Sequence, residues 1–136
     1  MDYGQLSTSI IGAIGEHPLD IGAYEDLFSL CQDWAETDFK TAHSVNKLLK
    51  DRCNSMVQTA PASKVEGFYS LWRRGMLFEA PHDFDSYLTY LEIDRKAQER
   101  FYQPRKRIMG RVVANLQKLA DDEMDELFIS MPPRVG

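Results

Sequence analysis

The chain has 136 residues, 43% hydrophobic and 27% charged, with a formal net charge of -5. That describes one ordinary globular domain, or a domain plus part of another, large enough to bury a core without disulfide or metal staples. The acidic balance excludes indiscriminate nucleic-acid binding by the whole surface. No run approaches the roughly 18 apolar residues that a membrane span requires, so no membrane partner is expected.

The charge is unevenly placed. Residues 1–93 hold 7 Lys/Arg against 14 Asp/Glu, residues 94–111 hold 7 against 2, and residues 112–136 hold 2 against 5. One short basic segment therefore sits between two acidic ones. It reads either as a solvated helix face or as a surface for phosphate, whether of a nucleotide or of a DNA backbone. Cys31 and Cys53 both fall on apolar faces of predicted helices, so they read as reduced core thiols and point to the cytoplasm. His17, His43 and His82 share no metal-ligand spacing with them. Ile10–Ile14 is short and lacks a preceding basic region, unlike a signal peptide.

The first predicted helix covers residues 5–15, with Leu6, Ile10, Ile11 and Ile14 on one side. His17-Pro18 breaks it. Asp20 is the expected N-cap of a helix to about Glu36, striped by Tyr24, Leu27, Phe28, Cys31 and Trp34 at helical spacing. A third helix runs from about Asp38 to Gln58, with Phe39, Ala42, Val45, Leu49, Cys53 and Met56 on one face. The break between these two is short, which predicts an antiparallel hairpin. Pro18–Leu27 is similar to the start of a tetratricopeptide unit, but such units stack and only one copy is present, so a generic hairpin is expected.

Ser63 and Glu66 fit a capping box opening a helix to about Glu79, weakened by Gly67 and Gly75. Asp83 caps the next, striped by Phe84, Tyr87, Leu88 and Leu91. The aromatic density from Phe68 to Tyr90 reads as core packing or as a partner-binding face. Past Asp94 the chain turns polar and basic. Pro104 suits the first turn of a helix to about Ala120, with Ile108, Met109, Val112, Val113, Leu116 and Leu119 as its inner face. Arg105, Lys106, Arg107 and Arg111 line the other side as candidate DNA or phosphate contacts. An acidic connector, 121–126, leads to a short apolar strand, Leu127–Met131, and a loop, Pro132-Pro-Arg-Val-Gly136.

A P-loop binds phosphate because successive backbone N–H groups converge on it at a helix start, and a lysine adds a point charge. The strict pattern is Gly, four residues, Gly-Lys-Ser/Thr. Here Met131 stands where the first glycine belongs, Gly136 takes the second position, and no lysine follows. About 25 residues upstream, Arg100-Phe-Tyr-Gln-Pro-Arg105 offers aromatic faces for an adenine ring, Phe101 or Tyr102, and an amide to read its edge, Gln103. Core packing is the other reading of those two rings.

Three segments carry a resemblance: Leu77–Leu91, Arg100-Phe-Tyr-Gln-Pro-Arg-Lys-Arg107, and Leu127-Phe-Ile-Ser-Met-Pro-Pro-Arg-Val-Gly136. Together they resemble the start of the large terminase subunit of tailed bacteriophages, over roughly residues 64–136. The resemblance implies the front of a motor that uses ATP and Mg²⁺ to thread viral DNA into a procapsid and then cuts it. Its partners would be a small terminase subunit, the portal, neighbouring motor subunits and DNA. It places Pro133, Arg134, Val135 and Gly136 along the triphosphate, and Phe101, Tyr102 and Gln103 near adenine. The Walker A lysine, the Walker B acids and the nuclease carboxylates are absent, so this chain by itself is expected neither to hold nucleotide tightly nor to turn it over. The expected fold class is mainly α: helical hairpins over residues 1–93, then, over residues 94–136, a helix and the first strand of an incomplete P-loop α/β ATPase domain. The alternative is a self-contained helical interaction module with no nucleotide role.

Overall fold

The computed structural model describes residues 2–124 and 126. Among them the chain is mainly helical: α1 (Tyr3–Glu16), α2 (Ile21–Trp34), α3 (Phe39–Thr59), α4 (Ala62–Glu79), α5 (Phe84–Leu91) and α6 (Tyr102–Ala120), with a short 3-10 turn at Ala97–Glu99. The predicted strand Leu127–Met131 and the loop Pro132–Gly136 lie outside the described residues. No described helix is long and apolar enough to cross a membrane.

Side-chain oxygens start three of these helices. Asp2 accepts the N–H of Gln5, Asp38 that of Thr41, and Asp83 that of Ser86. Each satisfies a backbone donor that no earlier turn can reach. Asp20 stands at the N-cap of α2 but makes no such bond. Ser63 is no cap either: α4 opens one residue earlier, behind Pro61, so the serine lies inside the helix.

The chain forms two compact units, one through Phe78 and one from Glu79 onward. In the first, α2 packs between α1 and α3. Ile14, Tyr24, Leu27, Phe28, Leu49, Cys53, Phe68 and Leu71 make its core, the hairpin stripe read from the sequence joined by α4. Tyr24 and Phe68 meet edge to face, ring centres 5.1 Å apart, an arrangement that suits their quadrupoles. The Tyr24 hydroxyl donates to the Pro18 carbonyl at 2.8 Å and accepts from Arg52 Nε at 3.1 Å, so the one polar atom of that buried ring is satisfied. Gly67 and Gly75, which weaken α4 on propensity alone, are places of close approach. A Cβ at Gly75 would stand 3.0 Å from both Lys50 Cβ and Phe28 Cε1. The bare Gly75 backbone also lets fully buried Asn46 donate Nδ2 to its carbonyl at 3.1 Å.

The second unit holds α5 and α6, which the expected division into residues 1–93 and 94–136 separates. α6 ends where Asp122 takes a left-handed conformation, φ 59°. Glu123 N–H then reaches back to the Lys118 carbonyl at 2.8 Å and Asp122 N–H to Leu119, closing the helix in a Schellman turn.

Candidate functional site

The residues singled out in the sequence cluster at the start of α6, and one carboxylate organises them. Phe101, the residue before the helix, has no side chain able to cap it. Glu92, buried at the end of α5, supplies the missing acceptor. Its Oε2 accepts the N–H of Phe101. Tyr102 N–H is shared between Oε1 at 2.9 Å and Oε2 at 3.1 Å, and Gln103 N–H goes to Oε1 at 3.1 Å. A full negative charge thus meets the positive end of the helix dipole and three otherwise orphaned donors. These are the donors that an external phosphate would use at a helix start. In this molecule they are already taken by its own glutamate, so α6 is closed as a phosphate helix.

The preceding loop is tied to the same point. Arg100 donates Nε to the Arg95 carbonyl at 3.0 Å and NH2 to the Ile93 carbonyl at 3.1 Å. The far end of the α5–α6 pair is pinned by Gln117, which accepts Phe84 N–H at 2.6 Å and donates to the His82 carbonyl at 2.9 Å.

Within this frame the two candidate rings part company. Tyr102 is buried and donates its hydroxyl to Asp85 Oδ1 at 2.6 Å. Burial first, then the hydrogen bond and charge of Asp85, push its ionisation well above the ordinary tyrosine range. Phe101 is 48% exposed, and the Arg105 guanidinium lies 4.4 Å from its ring centre. That is cation–π distance, and Arg105 also donates to the Phe101 carbonyl at 3.1 Å. Phe101 with Arg105 is therefore the flat surface a ligand can reach. Gln103 is two residues from Arg105, about 200° around the helix, so it projects from another side.

The basic set divides as well. Lys106 pairs with Asp85, 3.0 Å from Oδ1, beside a cavity of ≈ 250 Å³ bordered by Asp83, Tyr102, Val113 and Gln117. Arg105 is engaged with Phe101. Arg107 and Arg111 are exposed and take part in no hydrogen bond or ion pair among the described residues. Pro133, Arg134, Val135 and Gly136 lie outside the described residues. Among the described residues no group of three or more His, Cys, Asp or Glu is placed to hold a metal ion.

Sequence reasoning passed over Glu92, Asp85 and Gln117. The first left a trace: a helix that begins on Phe-Tyr, with no Ser, Thr, Asp or Asn before it, must find its acceptor elsewhere in the fold. In the other unit, an apolar groove of ≈ 300 Å³ opens along Ile11, Ile14, Leu27, Val45, Leu48 and Leu49, with Leu48 73% exposed at its rim. The chain matches no protein family, no curated protein and no solved structure in the three comparisons made.

Proposed function

We propose that this chain is the N-terminal part of a phage large terminase subunit, a cytoplasmic ATP-driven motor that packages and cuts viral DNA. In this reading residues 1–93 are a docking region. Its partners are the small terminase subunit, the portal or neighbouring motor subunits, while DNA, ATP and Mg²⁺ belong to the complete protein. Phe101, Tyr102 and Gln103 form the adenine end of the nucleotide site and Pro133–Gly136 its phosphate end.

The observation that supports the reading is the exposed Phe101 ring with Arg105 laid over it, held by Glu92 at the start of α6. A base stacked on such a surface is worth about 1–3 kcal/mol. Tyr102 is buried and bonded to Asp85, and Gln103 is the residue whose role the resemblance alone assigns. Phosphate is bound elsewhere, because Glu92 already fills the α6 N-terminus.

Adenosine titrated into the ¹⁵N-labelled protein tests this. The expected result is weak binding, on the order of millimolar, because stacking acts without phosphate contacts. Shifts should centre on residues 100–106, vanish in Phe101→Ala, and be smaller with guanosine. Gln103→Ala separately reports whether the amide reads the base edge. Equal response to both nucleosides, or none, sinks the reading. The groove along Ile11, Val45 and Leu48 favours the second reading, a helical interaction module without a nucleotide, and that module gives no nucleoside response at all.

A further inference from the structure

Arg107, Arg111 and Lys118 stand at i, i+4 and i+11 of α6, within about 40° of one line along the helix. All three are exposed, and none has an ion-pair partner among the described residues. Ile108, 66% exposed, flanks them. α6 therefore presents an outer face of three unpartnered cations beside an uncovered apolar side chain.

The same chain carries a matching row of opposite sign. On α2, Glu25 and Asp33 are exposed, as is Glu36 in the turn that follows, and they too have no ion-pair partner among the described residues. Arg74 reaches Ser29 and Gln32 on that side and leaves the carboxylates alone. Asp33 and Glu36 also sit at the carbonyl end of α2, where the helix dipole disfavours an anion and no basic residue offsets it. A cation brought there from outside gains from both.

We propose that the outer face of α6 docks antiparallel against the outer face of α2 in a second copy of this chain. The spacing selects both direction and register. From Arg107 to Lys118 is eleven residues, about 16 Å of helix, and Glu36 likewise lies eleven residues from Glu25, the last two in the turn after α2. Arg107 then meets Glu36, Arg111 meets Asp33 within one residue, and Lys118 meets Glu25. A parallel arrangement would set Arg111 against Ser29 and waste the middle pair. The two faces differ, so the contact either forms twice, reciprocally, in a two-fold dimer or repeats from copy to copy as a ring or filament. Exposed ion pairs are individually weak, so the contact is reversible and salt-sensitive. The inference rests on the two charge rows and stands apart from the nucleotide reading.

Sedimentation velocity of the whole chain decides it. At about 50 mM salt, where the Debye length exceeds 10 Å, the sedimentation coefficient should rise with protein concentration, and at about 0.5 M the rise should disappear. Arg107→Glu with Arg111→Glu, and separately Asp33→Lys with Glu36→Lys, should each weaken association roughly tenfold or more. Mixing the two double variants should restore it, because each then supplies the row that the other has lost. All four positions are exposed, and circular dichroism checks that both variants keep their helix. A protein that stays monomeric at low salt, association that survives either double variant, or a mixture that remains monomeric overturns the proposal. If the α6 double variant instead loses only binding to a DNA duplex, the basic row serves phosphate and the proposal fails.

Discussion

At the scale of single residues, Glu92 at the end of α5 closes the start of α6. It is a buried carboxylate whose oxygens take three backbone donors, so removing it strands three N–H groups as well as losing charged hydrogen bonds. Glu92→Ala should cost about 3 kcal/mol, and Glu92→Gln, which keeps one acceptor oxygen, roughly half as much, read from urea denaturation followed at the α5–α6 amides. Equal stability of wild type and Glu92→Ala would show that water replaces the carboxylate without loss. The thiols make a second case. Burial pushes Cys31 from an ordinary 9.0 up to about 11 and Cys53 up to about 12. Both folded values lie above the unfolded one, so the thiols contribute full stability below about pH 9 and lose it as pH rises toward 11–12. The slope is up to about 1.4 kcal/mol per pH unit for each. Cys31→Ala should flatten the alkaline limb of a pH–stability profile, and neither thiol should react with Ellman's reagent at pH 8 until the chain is unfolded.

At the scale of elements, the sequence located each described α-helix to within a few residues, because 3.6-residue stripes are local signals; of the expected caps Asp20, Ser63 and Asp83, only Asp83 makes its bond. It fell short where a third element decides. Ile108 heads the predicted inner face of α6 yet is 66% exposed, while Gln117, off that stripe, bonds Phe84 and His82 of the segment opening α5. Apolar spacing could not reveal that a polar residue faces α5. Glycine shows the same limit, since propensity treats all helical glycines alike. Gly75→Ala should destabilise despite a propensity gain of about 1 kcal/mol, because its Cβ meets Lys50 Cβ and the Phe28 ring, neither of which yields freely. Gly110→Ala, with nothing within 4 Å of the added Cβ, should stabilise by about 0.5–1 kcal/mol. Thermal melts of the two variants should move in opposite directions, and a shift of the same sign would mean that close packing around α4 is not what holds Gly75.

At the scale of the whole molecule, the site that the sequence suggested divides into residues on the described fold and residues outside it. The Phe101–Arg105 surface and its Glu92 anchor are on the described fold, and the proposed link to a nucleotide comes from the resemblance alone. Phosphoryl transfer needs far more than a stacked base. It needs a lysine and a metal to neutralise charge spreading over the transferred group, and an acid to position the attacking oxygen. The α6 N-terminus, the described helix start nearest the proposed base, is occupied by Glu92. Stacking without those groups binds a nucleoside and leaves its phosphates in water, so the triphosphate should add little affinity over adenosine. The chain incubated with millimolar ATP and Mg²⁺ should therefore release phosphate no faster than buffer in a malachite-green assay, while still showing the adenosine-dependent shifts near Phe101. Turnover that scales with protein and survives Phe101→Ala would place the chemistry away from the Phe101 surface, and binding of ATP much tighter than adenosine would mean that a phosphate site operates here although Glu92 fills the start of α6.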